Sequence, residues 1–397
     1  MLDFPKTVTI EGCEKFLTKL VKLDNVTSLV LPVDTSSYAF GGLASAIQAV
    51  NTWVRLGEDR VLELRNSIRK DVIEELANKP HKFVAAMSAK MIAISGSPAN
   101  DLRPQVNLAA KNAIEQQAVS PFGQQRGGLC WFSFVDHSSK GFDQNFYIQT
   151  SGSKAEPRQS AQIKAIITEM VKKSLAVTGG AKLLTSQSQD SLGRLFNELF
   201  LNTHEHGTRG QSRSEWLKPG VRTIYTQGIR LTEDGVQGIV GDQPRLSAYL
   251  QSITQQYDTE GQRRFVEIGI VDSGLGYCGR WLADNQDEKA DKIFSLADEF
   301  SVFKRCFTFR ETSTYKDNKG NGLPVVMDRL TQLHGFMRIR SGRLSLYRDF
   351  VESPYKHGET CEFSDWTTGQ FGDELLTPMS KVAGVAITLL IPVEAKQ

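Results

Sequence analysis

A strand-like segment, residues 265–272, ends in Asp272-Ser-Gly274-Leu-Gly276, which places an acidic side chain at a turn. The two glycines allow the backbone to turn tightly and to approach a bound molecule closely. A carboxylate in this position is able to accept a hydrogen bond from an exocyclic amine. The segment therefore predicts a strand with a ligand-binding turn at its end.

The same glycines have a second interpretation, because together with Gly279 they spell the dinucleotide fingerprint GxGxxG. That motif has to open a helix within a βαβ unit, so that the phosphates lie at the N-terminus of the helix. Here a polar loop precedes the strand, and Asp272 would repel a pyrophosphate at close range. We keep this interpretation as the less favoured alternative.

A predicted helix, residues 192–206, carries a polar stripe formed by Glu198, Asn202 and His206. Residues four apart lie on one helix face. A solvated face is the simpler explanation, but apolar side chains occupy the neighbouring stripe, which places the polar one beside the core. The His-Glu-His run at 204–206 does not have the spacing of helical zinc ligands, because residues two apart point to different sides.

A glycine-containing segment, Lys319-Gly320-Asn321-Gly322, directly precedes a predicted helix at residues 323–333. Glycines at a helix start expose backbone N–H groups and the positive end of the helix dipole to an anion. An ordinary helix start is the alternative. The pattern GxxxxGK[ST] does not occur, so the sequence excludes a P-loop nucleotide site.

The order of these motifs, followed by Gly384-Val-Ala-Ile-Thr388-Leu-Leu-Ile-Pro392, resembles the motif series of the GHKL superfamily. This superfamily includes the gyrase, heat-shock chaperone, histidine kinase and mismatch-repair ATPases. The resemblance covers residues 185–395, about half of the chain. It implies a Bergerat-type fold, which is a two-layer α/β sandwich that binds ATP and Mg²⁺.

The resemblance also implies a role for individual residues. Asp272 reads the adenine amine, Asn202 holds Mg²⁺, and Glu198 is the general base for the attacking water in hydrolysis. Gly320 and Gly322 lie in the lid over the phosphates, and Thr388 lies near the adenine. The complete set of nucleotide-binding residues expected is Asn202, His206, Asp272, Gly274, Gly276, Lys319, Gly320, Asn321, Gly322 and Thr388.

The chain departs from the family pattern at two positions. Thr203 follows the motif asparagine where alanine is usual, and Pro324 replaces the last glycine of the lid pattern GxGLG. Besides an ATPase that acts as an ATP-gated regulator, we consider a non-hydrolysing nucleotide switch and a protein kinase of the anti-sigma-factor type. The predicted helix at 161–175 contains no histidine, which argues against an orthodox sensor kinase.

The remaining chain predicts two further regions. Residues 1–95 alternate predicted strands (7–10, 26–33 and 60–64) with predicted helices (13–23, 43–54 and 71–94), the pattern of a small α/β module. Its element order is weakly similar to that of STAS-type domains. Residues 96–184 are interpreted as a linker with connecting strands (129–135 and 146–150) and a helix (161–175), and residues 185–397 as the GHKL-like ATP-binding domain.

Composition bounds the partners and the location. A formal charge of +2 over 397 residues gives no electrostatic argument for nucleic acid or an acidic membrane. Arg338 and Arg340 share one face of a predicted strand, which we interpret as solvated. The scattered cysteines contain no CxxC pair, and no apolar run is long enough for a bilayer, so we expect a cytoplasmic protein. By resemblance, we expect a protein partner or a homodimer.

Overall fold

A computed structural model describes residues 1–23, 28–35, 40–65, 70–95, 101–138, 141–149, 155–232, 235–236, 240, 243–253, 261–285, 294–308, 322–359 and 361–393. The strands are β1 (Leu2–Asp3), β2 (Ser28–Leu31), β3 (Val61–Leu64), β4 (Met91–Ile94), β5 (Gln124–Arg126), β6 (Leu129–Val135), β7 (Tyr147–Gln149), β8 (Glu156–Pro157), β9 (Val221–Thr232), β10 (Gln262–Val271), β11 (Phe336–Gly342), β12 (Leu344–Asp349), β13 (Ser364–Asp365) and β14 (Val382–Val393). The helices are α1 (Ile10–Val21), α2 (Gly42–Leu56), α3 (Lys70–Asn78), α4 (Pro80–Ser88), α5 (Arg103–Val119), α6 (Ser160–Ala176), α7 (Ser186–His206), α8 (Pro244–Ser252), α9 (Gly276–Asp284), α10 (Leu296–Phe307) and α11 (Gly322–Gln332). None of these helices is long and apolar enough to cross a bilayer.

The N-terminal region is a small α/β module. Strands β1 to β4 form a parallel sheet in chain order. Residues 7–10 are not a strand, because the side chain of Thr9 accepts a hydrogen bond from the N–H of Gly12 and caps α1. The predicted helix at 71–94 is also wrong as one element. Pro80 begins a new helix there, since proline lacks the N–H that a helix interior needs, and β4 follows.

The C-terminal region is built on an eight-stranded sheet with the order β13-β12-β11-β14-β10-β9-β6-β5. All neighbouring strands in it are antiparallel. Apolar side chains of α6, α7, α10 and α11 pack on one face of this sheet in a single core. The predicted α/β class is therefore confirmed.

The second face of the sheet is covered by the N-terminal module, so the predicted two-layer arrangement is incomplete. Side chains alternate between the faces of a strand, and both sets are apolar in β6. Phe132 and Phe134 face the helices, whereas Trp131 and Val135 pack in one core with the module. The whole of α2 from Gly42 to Val54 is buried as a result.

The strand predicted at 129–135 and the helix predicted at 161–175 form as β6 and α6, and both are parts of the C-terminal sheet and its helical layer. Strand β6 pairs with β9 within the large sheet, and α6 packs beside α7 on its helical face. Helix α5 buries Val106 and Ala110 in the core that the N-terminal module shares with the sheet. A boundary placed where glycine and serine cluster missed these contacts, because they join segments that are distant in sequence.

The solvated interpretation of the arginine face on β11 is wrong. Arg338 and Arg340 are each 1% exposed and point toward the N-terminal module. Nε of Arg340 lies 2.9 Å from Oε1 of Glu14 in α1, and Nη2 of Arg338 lies 3.6 Å from the same oxygen. The charges are thus paired across the contact between the module and the sheet.

Candidate functional site

Helix α7 provides the frame of the site. Thr185 caps it by accepting a hydrogen bond of 3.0 Å from the N–H of Ser188. One face of the helix is buried in the core beneath the sheet. Glu198 and Asn202 are half-buried at the border of that face, as the sequence predicts.

The start of α11 lies directly against this border. A methyl group placed on Gly322 would lie 2.9 Å from Oε2 of Glu198 and 3.9 Å from Nδ2 of Asn202. Oε1 of Glu198 accepts a hydrogen bond from Asn197. Within the described part of the chain, Oε2 of Glu198 and the amide of Asn202 have no hydrogen-bond partner. Two polar groups are therefore available beside the N-terminus of a helix.

Only part of the predicted glycine segment belongs to the described residues. Lys319, Gly320 and Asn321 lie outside them, whereas Gly322 is the first residue of α11. Pro324 occupies the first turn of the same helix. The N–H groups of a first turn have no partner within the helix, so proline is accommodated there.

At the C-terminal end of α7, beyond Asn202, the helix meets Asp272, which follows β10 and is 6% exposed. Its Oδ1 accepts hydrogen bonds from the N–H groups of Gly274 at 2.9 Å and Val385 at 3.2 Å. Its Oδ2 has no hydrogen bond from any residue that the structure describes. Burial raises the pKa of Asp272 to about 7, and the two N–H donors oppose this rise. The turn thus holds a buried carboxylate with one free acceptor oxygen.

Glycines surround this carboxylate. A methyl group on Gly207, at the end of α7, would lie 2.8 Å from Cβ of Asp272. A methyl group on Gly274 would lie 2.3 Å from the carbonyl oxygen of Gly207. Gly384 has a φ of +65°, which side chains disfavour, and its methyl group would lie 2.7 Å from Oδ1 of Asp272. The glycines allow three chain segments to meet at one acidic side chain.

The dinucleotide alternative does not fit this geometry. Gly276 begins α9 after the turn, as a phosphate-binding helix would require. However, β10 pairs antiparallel with both of its neighbours, β9 and β14. A dinucleotide fingerprint needs a parallel βαβ unit, so the antiparallel pairing excludes it here.

His206, the last residue of α7 and of the predicted polar stripe, contacts Arg213. Its Nδ1 lies 3.1 Å from a terminal nitrogen of Arg213, and that guanidinium is paired with Asp284 through Nε at 2.9 Å. The main-chain carbonyl of His206 is nevertheless close to the acidic turn, 3.2 Å from a methyl group placed on Gly274. The last turn of α7 therefore contacts the turn through its backbone.

Thr388 lies on the opposite face of the sheet from the predicted site. Ile387 and Leu389 belong to the core with α7, and strand alternation turns the residue between them away. A methyl group on Gly41 of the N-terminal module would lie 3.7 Å from Oγ1 of Thr388. The structure does not bring Thr388 to Asp272, which corrects its predicted place near an adenine.

A buried ion pair near the end of α7 was missing from the sequence prediction. Arg222 is fully buried and binds both carboxylate oxygens of Asp136, at 2.8 and 2.7 Å. Oγ1 of Thr203 accepts a hydrogen bond from Arg222 at 3.3 Å and donates one to the carbonyl of Phe200. Thr203 thus ties α7 to β9. A hydroxyl on a buried helix face indicates a hydrogen bond, but the partner, Arg222, lies on β9 and is not evident from the local sequence.

The residues fit a purine nucleotide with a divalent cation. Asp272 offers the second oxygen of its carboxylate for an amine, and α11 begins at Gly322 beside Glu198 and Asn202. Across the described residues, no group of three His, Cys, Asp or Glu side chains is arranged to hold a metal ion. A cation here would consequently take most of its oxygen ligands from the nucleotide and water, as Mg²⁺ commonly does.

Comparison with known proteins gives no relative. No family model, no curated protein and no solved structure matches the chain.

Proposed function

We propose that this chain binds Mg-ATP in a Bergerat-type site, hydrolyses the ATP, and acts as an ATP-gated regulator. One observation supports the proposal most strongly. Helix α7 contacts Gly322 through Glu198 and Asn202, and it contacts Asp272 through Gly207. Motifs that are far apart in the sequence thus meet on the C-terminal half of one helix, which supports a site with an adenine end at Asp272 and a phosphate end at Gly322.

The adenine end is assigned to Asp272. An adenine amine needs a hydrogen-bond acceptor, and Oδ2 of Asp272 is available while Oδ1 is occupied by two N–H groups. The hydrogen bond to a charged acceptor is stronger than one between neutral groups. Oδ1 therefore accepts hydrogen bonds from the protein backbone, and Oδ2 would accept the hydrogen bond from the nucleotide.

The phosphate end is assigned to the start of α11. The N–H groups and the positive dipole end of a helix attract anionic oxygens. Asn202 would contribute its amide oxygen to Mg²⁺, which prefers oxygen ligands. When bound, Mg²⁺ supplies positive charge that offsets the phosphate charge. The backbone of Gly322 and the side chain of Asn202 would then hold the same phosphates from two sides.

Hydrolysis is assigned to Glu198. Its carboxylate lies one helical turn before Asn202, and Oε2 is free of hydrogen bonds from the described residues. This oxygen would accept the proton of a water molecule that attacks the terminal phosphate. Asn197 donates to Oε1 at 3.2 Å and so fixes the orientation of the carboxylate.

Three measurements on purified protein test the proposal. Calorimetry with a non-hydrolysable ATP analogue and Mg²⁺ tests binding, and we expect saturable binding at one site. Phosphate release from ATP tests hydrolysis. Binding without release would replace the ATPase by a nucleotide switch, and transfer of labelled phosphate to a protein would favour the kinase. Absence of binding would refute the proposal as a whole.

A further inference from the structure

Helix α2 of the N-terminal module carries a polar stripe that is buried against the large sheet. Gln48, Asn51, Thr52 and Arg55 follow one helix face at three- and four-residue intervals. The first three are each at most 2% exposed, and Arg55 is half-buried. Polar side chains in such a position are retained only where they have partners, because burying an unpaired polar group is costly.

Two of these side chains donate hydrogen bonds to the backbone of the turn at Asp272 and Ser273. Nδ2 of Asn51 donates a hydrogen bond of 3.2 Å to the carbonyl oxygen of Asp272. Nε of Arg55 donates one of 2.9 Å to the carbonyl oxygen of Ser273. The pairing of β10 with β14 ends at Val271, so these two carbonyls lie beyond the register of that strand pair. The N-terminal module supplies the donors that they take instead.

The turn is held on its remaining side as well. Oγ of Ser273 accepts a hydrogen bond of 3.1 Å from the N–H of Val221 at the start of β9. The carboxylate of Asp272 is attached to the same residue whose carbonyl Asn51 holds. A change in the direction of that carbonyl would rotate the backbone of the turn, and with it the direction of Oδ2.

We infer that Asn51 and Arg55 are positioning residues for the nucleotide site, so that the N-terminal module sets the affinity for ATP through the Asp272 turn. This inference rests on the proposed function, in which Oδ2 of Asp272 receives the adenine amine. The module is then part of the binding site and not a separate domain. Its contribution is to fix an acceptor before the nucleotide arrives, which reduces the cost of ordering on binding.

A comparison of ATP with inosine triphosphate tests this inference, because inosine triphosphate has a carbonyl in place of the adenine amine. We expect Asn51→Ala to weaken binding of ATP by about two- to tenfold, the worth of one ordinary hydrogen bond, and to leave inosine triphosphate unaffected. In the Asp272→Asn background, Asn51→Ala should have no further effect on ATP. Such a double-mutant cycle measures whether two residues act together.

Two further variants control for damage to the fold. Glu14→Gln weakens the ion pair with Arg340 elsewhere in the same interface, so it should lower the melting temperature without changing the preference for ATP. Arg55→Lys retains a donor and should keep most of the affinity, whereas Arg55→Met should weaken binding of ATP as Asn51→Ala does.

The possible failures are distinguishable. Absence of ATP binding by the parent protein would refute the proposed function. If the parent prefers ATP and Asn51→Ala and Arg55→Met bind like the parent, the inference alone is wrong. Equal weakening of ATP binding and inosine triphosphate binding by these variants would show that Asn51 and Arg55 support only the stability of the fold. So would an effect of Asn51→Ala that persists in the Asp272→Asn background, and either result would overturn the inference.

Discussion

Gly207 and Asp272 are packed so closely that no larger residue fits at position 207. A methyl group on Gly207 would lie 2.8 Å from Cβ and 3.0 Å from Cγ of Asp272. It would also lie 2.6 Å from the carbonyl oxygen of Thr203. The end of α7 and the turn after β10 therefore form one rigid contact, and the position of the carboxylate depends on it.

Gly207→Ala should weaken ATP binding. The added methyl group has to displace either the end of α7 or the Asp272 side chain, and overpacking of this kind costs about 1–3 kcal/mol. We expect at least about a fivefold rise in the dissociation constant of ATP, measured by calorimetry. Gly128→Ala is the matched control, because its nearest neighbours lie at an ordinary 3.5 Å. Equal affinities of the two variants would refute the role of this contact.

The preference for ATP should depend on pH through Asp272. Burial raises the pKa of this carboxyl to about 7, so it gains a proton as the pH falls below that value. The protonated group is a poorer acceptor for the adenine amine but is able to donate to the carbonyl of inosine triphosphate. We expect the ratio of the two dissociation constants to shift toward inosine triphosphate below pH 7. The ratio cancels the titration of the phosphates. A ratio that is constant from pH 6 to 8 would contradict the assignment.

Asn202→Ala should weaken binding mainly in the presence of Mg²⁺, because the lost group is an oxygen ligand. The side-chain amide of Asn202 makes no hydrogen bond with the described residues, so its removal should not destabilise the fold. Calorimetry with Mg²⁺ and with EDTA separates the two contributions. A loss of the same size in EDTA would indicate that Asn202 contacts the nucleotide directly or supports the fold.

Glu198→Gln should preserve ATP binding and reduce phosphate release. Glutamine retains the shape of the side chain but does not accept a proton, and removal of a general base lowers rates by about 10²- to 10⁴-fold. Asp190→Asn is a suitable control on the same helix, because that half-exposed carboxylate is paired only with surface side chains. Unchanged release by Glu198→Gln would remove this residue from the mechanism.

Local patterns in the sequence predicted the elements that carry the site. The helix with Glu198 and Asn202, the strand that ends at Asp272, and the helix that begins at Gly322 all form near the predicted positions. These predictions succeeded because each depends on residues close together in the chain: a capped, amphipathic helix, an apolar strand, and glycines at turns.

The surfaces that cover the sheet were not predictable in the same way. Arg338 and Asn51 have the appearance of solvent-facing residues, yet both are buried where the N-terminal module meets the sheet. Their partners, Glu14 and the carbonyl of Asp272, belong to other regions of the chain. For Thr388, strand alternation relative to the apolar Ile387 indicates the face opposite to α7, whereas the resemblance to the GHKL motif predicts a place near the adenine.

The most direct test of the account is the affinity of Asp272→Asn for a non-hydrolysable ATP analogue with Mg²⁺ at pH 8. Burial raises the pKa of Asp272 from 3.8 to about 7, so the fold favours the protonated carboxyl. The stability gained from this protonation is complete below pH 3.8 and is lost as the pH rises through about 7. Removing the buried charge should therefore stabilise the fold at pH 8, by up to about 4 kcal/mol. We predict saturable binding by the parent protein and, for a variant with an equal or higher melting temperature, at least about tenfold weaker binding. A variant that binds the analogue as tightly as the parent, or a folded parent that does not bind it, would contradict the account.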